Sequence, residues 1–249
     1  MIGANDGLLI INADDWGGWR KATDAALACF RAGRITSVTA MMFMADTERA
    51  AELAKAANLS VGLHVNLNQR FDGKVSAAVN ENHEKVVRFL VKNKYAQLLY
   101  NPWLRQNFRH DFEAQLEEFR RLYGQEPSHI DGHQHKHLCL NMLLDRIIPA
   151  GKKVRRNFSF WPGEKSGLNR SYRAWVDRKL AKDHTITDYF FSLEQCLQNK
   201  RVGRVVDLAK SGKVELMTHP EKSPELDWLM SEDFLTSTRG LKLVDYTRL

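Results

Sequence analysis

The alternation of short apolar runs with amphipathic stretches near the start of the chain most narrows the folds open to it. Residues 8–13 (Leu-Leu-Ile-Ile-Asn-Ala) form a continuous apolar run ending in polar residues. That is the mark of a strand buried on both faces of a parallel sheet. Residues 20–32 then place Ala22, Ala25, Ala26, Cys29 and Phe30 at helical spacing, with Gly33 where a helix C′ residue is expected. Thr36–Phe43 reads as a second strand, Asp46–Ala57 as a second helix capped by Asp46, and Ser60–Leu67 as a third strand. Three strand–helix alternations in about seventy residues argue for βα units joined by right-handed crossovers.

The pattern loosens after residue 67. Residues 68–80 form a polar, glycine-containing insertion, followed by helical segments near 81–99 and 108–123. Phe112, Leu116, Phe119 and Leu122 make the apolar stripe of the second, which Gly124 and Pro127 end. Further units fall near 139–149, 170–181, 186–193 and 201–211, a late strand at 213–218 ends at His219-Pro220, and Leu241–Tyr246 reads as a final strand. The chain holds no internal repeat, linker or low-complexity segment. At 249 residues, one (β/α) barrel fills its length. The expected fold is α/β: a single-domain, irregular, TIM-barrel-like (β/α) barrel over 1–249.

A hydrophobic fraction of 43% with 27% charged residues is that of a soluble globular protein. The net charge of +7 favours anionic partners. The basic residues are nevertheless spread along the chain, Lys152, Lys153, Arg155 and Arg156 among them, and most fall near helix ends and in loops, where a solvated face explains them. No nucleic-acid partner is expected. Cys29, Cys139 and Cys196 are odd in number, far apart and outside any CxxC arrangement, which argues against a disulfide framework or a thiolate zinc site. The N-terminus lacks a basic n-region, and residues 8–13 are too few for a signal h-region or a membrane span. The expectation is a cytoplasmic protein without a transmembrane segment.

Four of the nine histidines fall within residues 129–137, His-Ile-Asp-Gly-His-Gln-His-Lys-His. On a strand, His129, Asp131 and His133 share a face, with His135 and His137 continuing past a glycine. Neutral imidazole is the commonest protein ligand for a divalent metal, and carboxylates complete or orient such sites, so the cluster points to a metal rather than to a solvated loop. Three other predicted strands also end in polar motifs: Asn12-Ala13-Asp14-Asp15-Trp16-Gly17, His64-Val65-Asn66 and Thr218-His219-Pro220. In α/β barrels the active site is assembled at that C-terminal edge. Adjacent carboxylates such as Asp14 and Asp15, with diverging side chains, let one bind metal while the other takes a proton from water. Alone, the pair would serve equally as a helix N-cap or turn, and His64 as a core histidine. The coincidence of four motifs carries the argument.

Together these motifs resemble the YdjC-type carbohydrate deacetylases, which include chito-oligosaccharide and hopanoid-pathway deacetylases. The resemblance runs in order from about residue 8 to 220. It implies an irregular βα barrel that removes an N-acetyl group with one divalent metal held by one Asp and two His. Matched to the motifs, it makes Asp15, His64 and His133 the ligands, Asp14 the general base and His219 the general acid. Asp131, His135 and His137 then orient ligands or contact substrate. Trp16 stands where Phe is more usual, Gly132 where Ser is common and Thr218 where Cys is frequent. By ligand type zinc suits the site, and magnesium, cobalt and manganese stay open. The implied substrate is an N-acetylated sugar or glycolipid, with loops in the 68–107 insertion setting specificity, and a homodimer is compatible with this reading. Two rival readings are a metal-dependent phosphoesterase on a similar barrel and a non-catalytic carbohydrate- or anion-binding protein with a closed metal site. Glycoside hydrolysis needs two carboxyls at a set separation, and no second acidic candidate near the motifs stands out.

Overall fold

Parallel pairing sets the architecture. The computed structural model describes residues 7–161 and 163–249, so the reading of the chain before residue 7 falls outside them. Six strands, β1 (Leu8–Trp16), β2 (Ser37–Ala40), β3 (Val61–Val65), β4 (Ile130–Gly132), β5 (Tyr189–Ser192) and β6 (Lys213–Thr218), pair in the order β4-β3-β2-β1-β6-β5. Every ladder is parallel. The connections carry α1 (Arg20–Arg31), α2 (Thr47–Ala57), α3 (Ala77–Val91), α4 (Arg105–Tyr123), α5 (Leu140–Leu144), α6 (Gly167–Asp183), α7 (Leu193–Gln198) and α8 (Val202–Ala209), and α9 (Ser223–Leu229) and α10 (Glu232–Thr238) follow β6.

The sheet curls into a half-barrel. Beyond β4, Ile130 bridges Val154, and Lys153 bridges Thr185, which lies just before β5. Single bridges, not further strands, thus draw the two sheet edges toward each other. The segment Leu241–Tyr246, expected as a strand, gives one bridge between Leu243 and Leu9 and then turns into a 3-10 segment at Tyr246–Arg248.

Strand alternation divides the residues of β1 between two environments. Leu9, Ile11 and Ala13 join the main core with Val38, Leu63, Val214 and Leu216 and the apolar faces of the helices. Leu8 and Ile10 instead pack with Tyr246 on the concave side. The same concave face carries Asn12, whose side chain bonds Ser37 (2.7 Å) and Thr39 (3.0 Å). Gly62 on β3 keeps this interior open: a Cβ there would lie 2.5 Å from the His129 ring.

Several boundaries differ from the sequence reading. Asp46 sits at the N-cap of α2 without capping it, because its carboxylate is held by Arg49 at 2.7 Å. Helix α3 begins inside the stretch read as a loop, where Ser76 caps it by accepting from the Val79 N–H. It stops at Val91, and only a 3-10 turn at Ala96–Leu98 continues toward residue 99. No described helix is long and apolar enough to cross a membrane. The three cysteines are free and buried.

Candidate active site

The C-terminal end of β1 is bulged. Between Ala13, opposite Val38, and Trp16, opposite Ala40, β1 contains one residue more than β2, and Asp15 adopts a left-handed φ of 62°. Aspartate tolerates this conformation better than most residues, and bulges of this kind re-aim side chains at strand ends. Asp14 and Asp15, expected to diverge, therefore both turn toward His64. Asp15 Oδ1 lies 3.2 Å from His64 Nε2 and 2.8 Å from His133 Nδ1. The ligand atoms of Asp15, His64 and His133 all fall within 4.8 Å of one another, and so do those of Asp14, His64 and Asp131.

His64 comes from β3 and is clamped. Its Nδ1 lies 2.7 Å from Asp131 Oδ1 on β4, which leaves Nε2 directed at Asp15. Burial alone would lower its pKa, but the charges of Asp131 and Asp14 raise it to about 10. Burial would raise Asp15, yet hydrogen bonds from His133 and His64 bring it well below the usual carboxylate range. His219 follows β6, with Nε2 3.8 Å from Asp15 Oδ2 and its backbone N–H donated to Glu225 Oε2 at 3.0 Å. Burial would lower its pKa, but the Glu225 carboxylate and the charges of Asp14 and Asp15 win, and the shift is upward. The His64 side chain is 2% exposed, His133 13% and His219 18%, so solvent reaches the cluster past His133 and His219.

Beneath the cluster lies a residue that the sequence reading assigned to the surface. Arg155 is fully buried. Its two terminal nitrogens hold both oxygens of Asp14 at 2.7 Å, one of them also lies 2.5 Å from Asp131 Oδ2, and Nε donates to Glu215 Oε1 at 2.7 Å. The Tyr246 hydroxyl donates to the other oxygen of Glu215, and its ring stacks on His129 at 3.5 Å. Burial raises Glu215 to about 7 against the pull of Arg155, and it lowers His129 to about 3. Burial would raise Asp131 too, but the charges of Arg155 and His64 hold it below its ordinary value. The sequence signal for this layer was Glu215, a carboxylate set between the apolar residues Val214 and Leu216 of β6.

The histidine-rich run does not continue as a strand. The chain leaves the sheet at Gly132 and enters a 3-10 segment, His133–Leu138, in which Gln134 and His135 take left-handed φ of 48° and 58°. Gly132 permits the reversal, since a Cβ there would lie 2.9 Å from the His137 nitrogen. His129 and Asp131 face the concave interior as expected of alternate residues, whereas His135 and His137 are carried away from the cluster of Asp15, His64 and His133. His137 Nε2 donates to the Arg155 carbonyl at 3.1 Å, and His135 packs edge-on against Phe158. Across the site, Asn68 in the loop before α3 donates to Gln134 Oε1 at 2.8 Å. Phe71 of that loop stacks on His83 at 3.6 Å.

The YdjC-like protein family model matches residues 8–241. The chain belongs to the YdjC-like family. Among curated relatives of this YdjC-like chain, the mouse (Mus musculus) protein named carbohydrate deacetylase is 33% identical over 135 residues, covering 52% of the chain and 43% of the relative. The chitooligosaccharide deacetylase of Yersinia pestis is 33% identical over 143 residues, 57% of the chain and 53% of the relative. The chain thus spans about half, or less, of the length of the curated relatives it matches. In fold it is similar to an Enterococcus faecalis protein given the working description of a cellobiose-phosphate cleavage protein. The TM-score is 0.71 at 18% identity, with 98% of each chain covered.

Proposed function

We propose that this protein is a metal-dependent hydrolase that removes the N-acetyl group from an amino sugar, a chito-oligosaccharide or related glycoconjugate. It would do so as one domain, an irregular TIM-barrel-like (β/α) barrel. The observation that carries the reading is the meeting of Asp15, His64 and His133, with Asp14 and His219 beside them, in a family whose named relatives are deacetylases.

The donor set fits a divalent cation. One carboxylate and two imidazoles suit zinc, with magnesium, cobalt or manganese compatible by ligand type. Three buried carboxylates, Asp14, Asp131 and Glu215, bond one permanent cation, Arg155, and a fourth, Asp15, lies against His64 and His133. The excess negative charge is what raises His64 to about 10, so the cluster retains a proton where a metal would balance it. Held by Asp15, His64 and His133, a divalent cation would polarise an amide carbonyl and lower the pKa of a water.

The chain's own residues then have distinct tasks. Asp14 takes a proton from the water at a carboxylate oxygen. The paired bonds from Arg155 fix that carboxylate in orientation. Asp131, bonded to His64 Nδ1, holds that ring with Nε2 toward the site. His219, whose pKa is shifted upward, gives a proton to the departing amine, which leaves poorly unless protonated.

The rival readings fare worse on two observations. A two-metal phosphoesterase would need Asp14 and Asp131 for a second ion, and the Arg155 guanidinium already binds both. A closed structural site needs four protein ligands, whereas the group here offers three. The test is acetate release from N-acetylglucosamine oligomers, nucleotide sugars and glycolipids, with and without added metal. Metal-dependent release from at least one substrate is expected; no release with any metal would overturn the proposal.

A further inference from the structure

Helix α6 and residues 157–158 enclose a cavity of about 270 Å³ against the 133–138 segment. Its lining includes Gln134 and His135, the two residues that follow His133, so it abuts the turn that presents a candidate ligand. No aspartate or glutamate is among the described residues that line it. Two of its lining residues instead carry buried nitrogens without a hydrogen-bond partner. Asn157 is 8% exposed, and its Nδ2 has no partner. The His135 Nδ1 is likewise buried and unpartnered.

Arg173 on α6 completes the wall. This half-buried guanidinium donates to Asn169 Oδ1 at 2.8 Å and Asn157 Oδ1 at 3.3 Å and lies over the Phe160 ring at 4.7 Å, all neutral partners. Asp177, the carboxylate whose charge reaches it, has one oxygen on Arg156 at 2.5 Å and the other on the Asn157 N–H at 3.1 Å. Burial accordingly brings the Arg173 pKa down from its usual value. A partly desolvated cation with no carboxylate bonded to it lacks compensation that an anionic ligand would supply.

We propose that Arg173, Asn157 and His135 form a binding site for an oxyanion, a phosphate or carboxylate carried by the sugar, so that the preferred substrate is an acidic N-acetylated saccharide. The guanidinium offers paired N–H groups of the spacing that phosphate and carboxylate oxygens accept, and the unpartnered Asn157 amide and His135 imidazole nitrogens add further polar contacts. Arg173 also borders a larger groove of about 580 Å³ lined by Phe160, Trp161, Arg170 and Tyr189, where further sugar rings have aromatic faces to stack on. The proposal rests on the deacetylase reading for the molecule that carries the anion, not for the anion site itself.

Calorimetric titration of the metal-loaded protein with glucosamine 6-phosphate, inorganic phosphate and glucuronate tests it. The variants are Arg173→Gln and Asn157→Asp; the second keeps the side-chain shape, sets a carboxylate against Arg173, and guards against misfolding of the first. At least one probe is expected to bind, with affinity falling about 10- to 100-fold in both variants. Tighter binding of glucosamine 6-phosphate identifies phosphate as the group recognised, and tighter binding of glucuronate identifies carboxylate. The ratio of kcat/KM for a phosphorylated or uronate-bearing N-acetylated disaccharide over neutral diacetylchitobiose should fall in parallel. Absence of binding, or equal affinity in wild type and both variants, as an anion sitting on the metal would give, overturns the site. Arg173-dependent binding without acetate release from any substrate upholds the site and overturns the deacetylase reading.

Discussion

Replacing Arg155 by methionine removes the only permanent cation among three buried carboxylates, Asp14, Asp131 and Glu215. Breaking a buried ion pair from one side costs about 3–5 kcal/mol, because the partner's charge stays buried without compensation. At about 2–4 °C per kcal/mol for a chain of this size, Tm should fall by about 6–20 °C. The loss must depend on pH. In the wild type the folded Asp131 pKa is depressed, so its contribution is present above the unfolded carboxylate pKa of about 3.9 and is lost as pH falls below it. Without Arg155, burial pushes the carboxyls up, and their penalty grows as pH rises through that range. Differential scanning calorimetry in EDTA at pH 7.5 and pH 4.5 therefore should show the larger Tm difference at pH 7.5. A drop under about 3 °C, or an equal drop at both pH values, would refute the reasoning that Arg155 compensates buried charge.

Further outcomes follow from the same geometry. Asp14→Asn should lower kcat by about two to four orders of magnitude while metal content, measured by elemental analysis, is unchanged; loss of metal would make Asp14 a ligand. His219→Ala should slow amide cleavage far more than cleavage of an activated acetyl ester, whose leaving group needs no proton. Equal losses on both substrates would reduce His219 to a wall of the pocket. Gly62→Ala places a Cβ 2.5 Å from the His129 ring and should cost about 1–3 kcal/mol in urea unfolding. Gly203→Ala in α8, where an added Cβ meets nothing within 4 Å, should stabilise by about 0.5–1 kcal/mol.

The strand motifs were legible because each couples an apolar run to polar residues at its end. Leu8–Trp16, Val61–Val65 and Lys213–Thr218 are strands of one sheet, and Asp14, Asp15, His64 and His219 gather at its C-terminal edge. The Asp14-Asp15 bulge was not legible, since nothing in the composition of a strand end reports an extra residue in its pairing. Arg155 was misread for a related reason: in the run Lys152–Arg156 only its long-range partners, Asp14 and Glu215, distinguish the buried cation from its solvated neighbours. His135 and His137 were placed by extrapolating strand alternation past Gly132, where two left-handed residues end it. Helices α9 and α10 are short, and their apolar residues lack the repeat that makes a stripe visible.

The central claim is that Asp15, His64 and His133 hold one divalent ion. Crystals soaked in zinc, measured on both sides of the zinc absorption edge, address it without reliance on activity. The account predicts one anomalous peak within about 2.0–2.2 Å of an Asp15 oxygen, His64 Nε2 and a His133 nitrogen, with the Arg155 guanidinium still between Asp14 and Asp131. No peak there, or a peak among Asp14, His64 and Asp131 with Arg155 displaced, would contradict it.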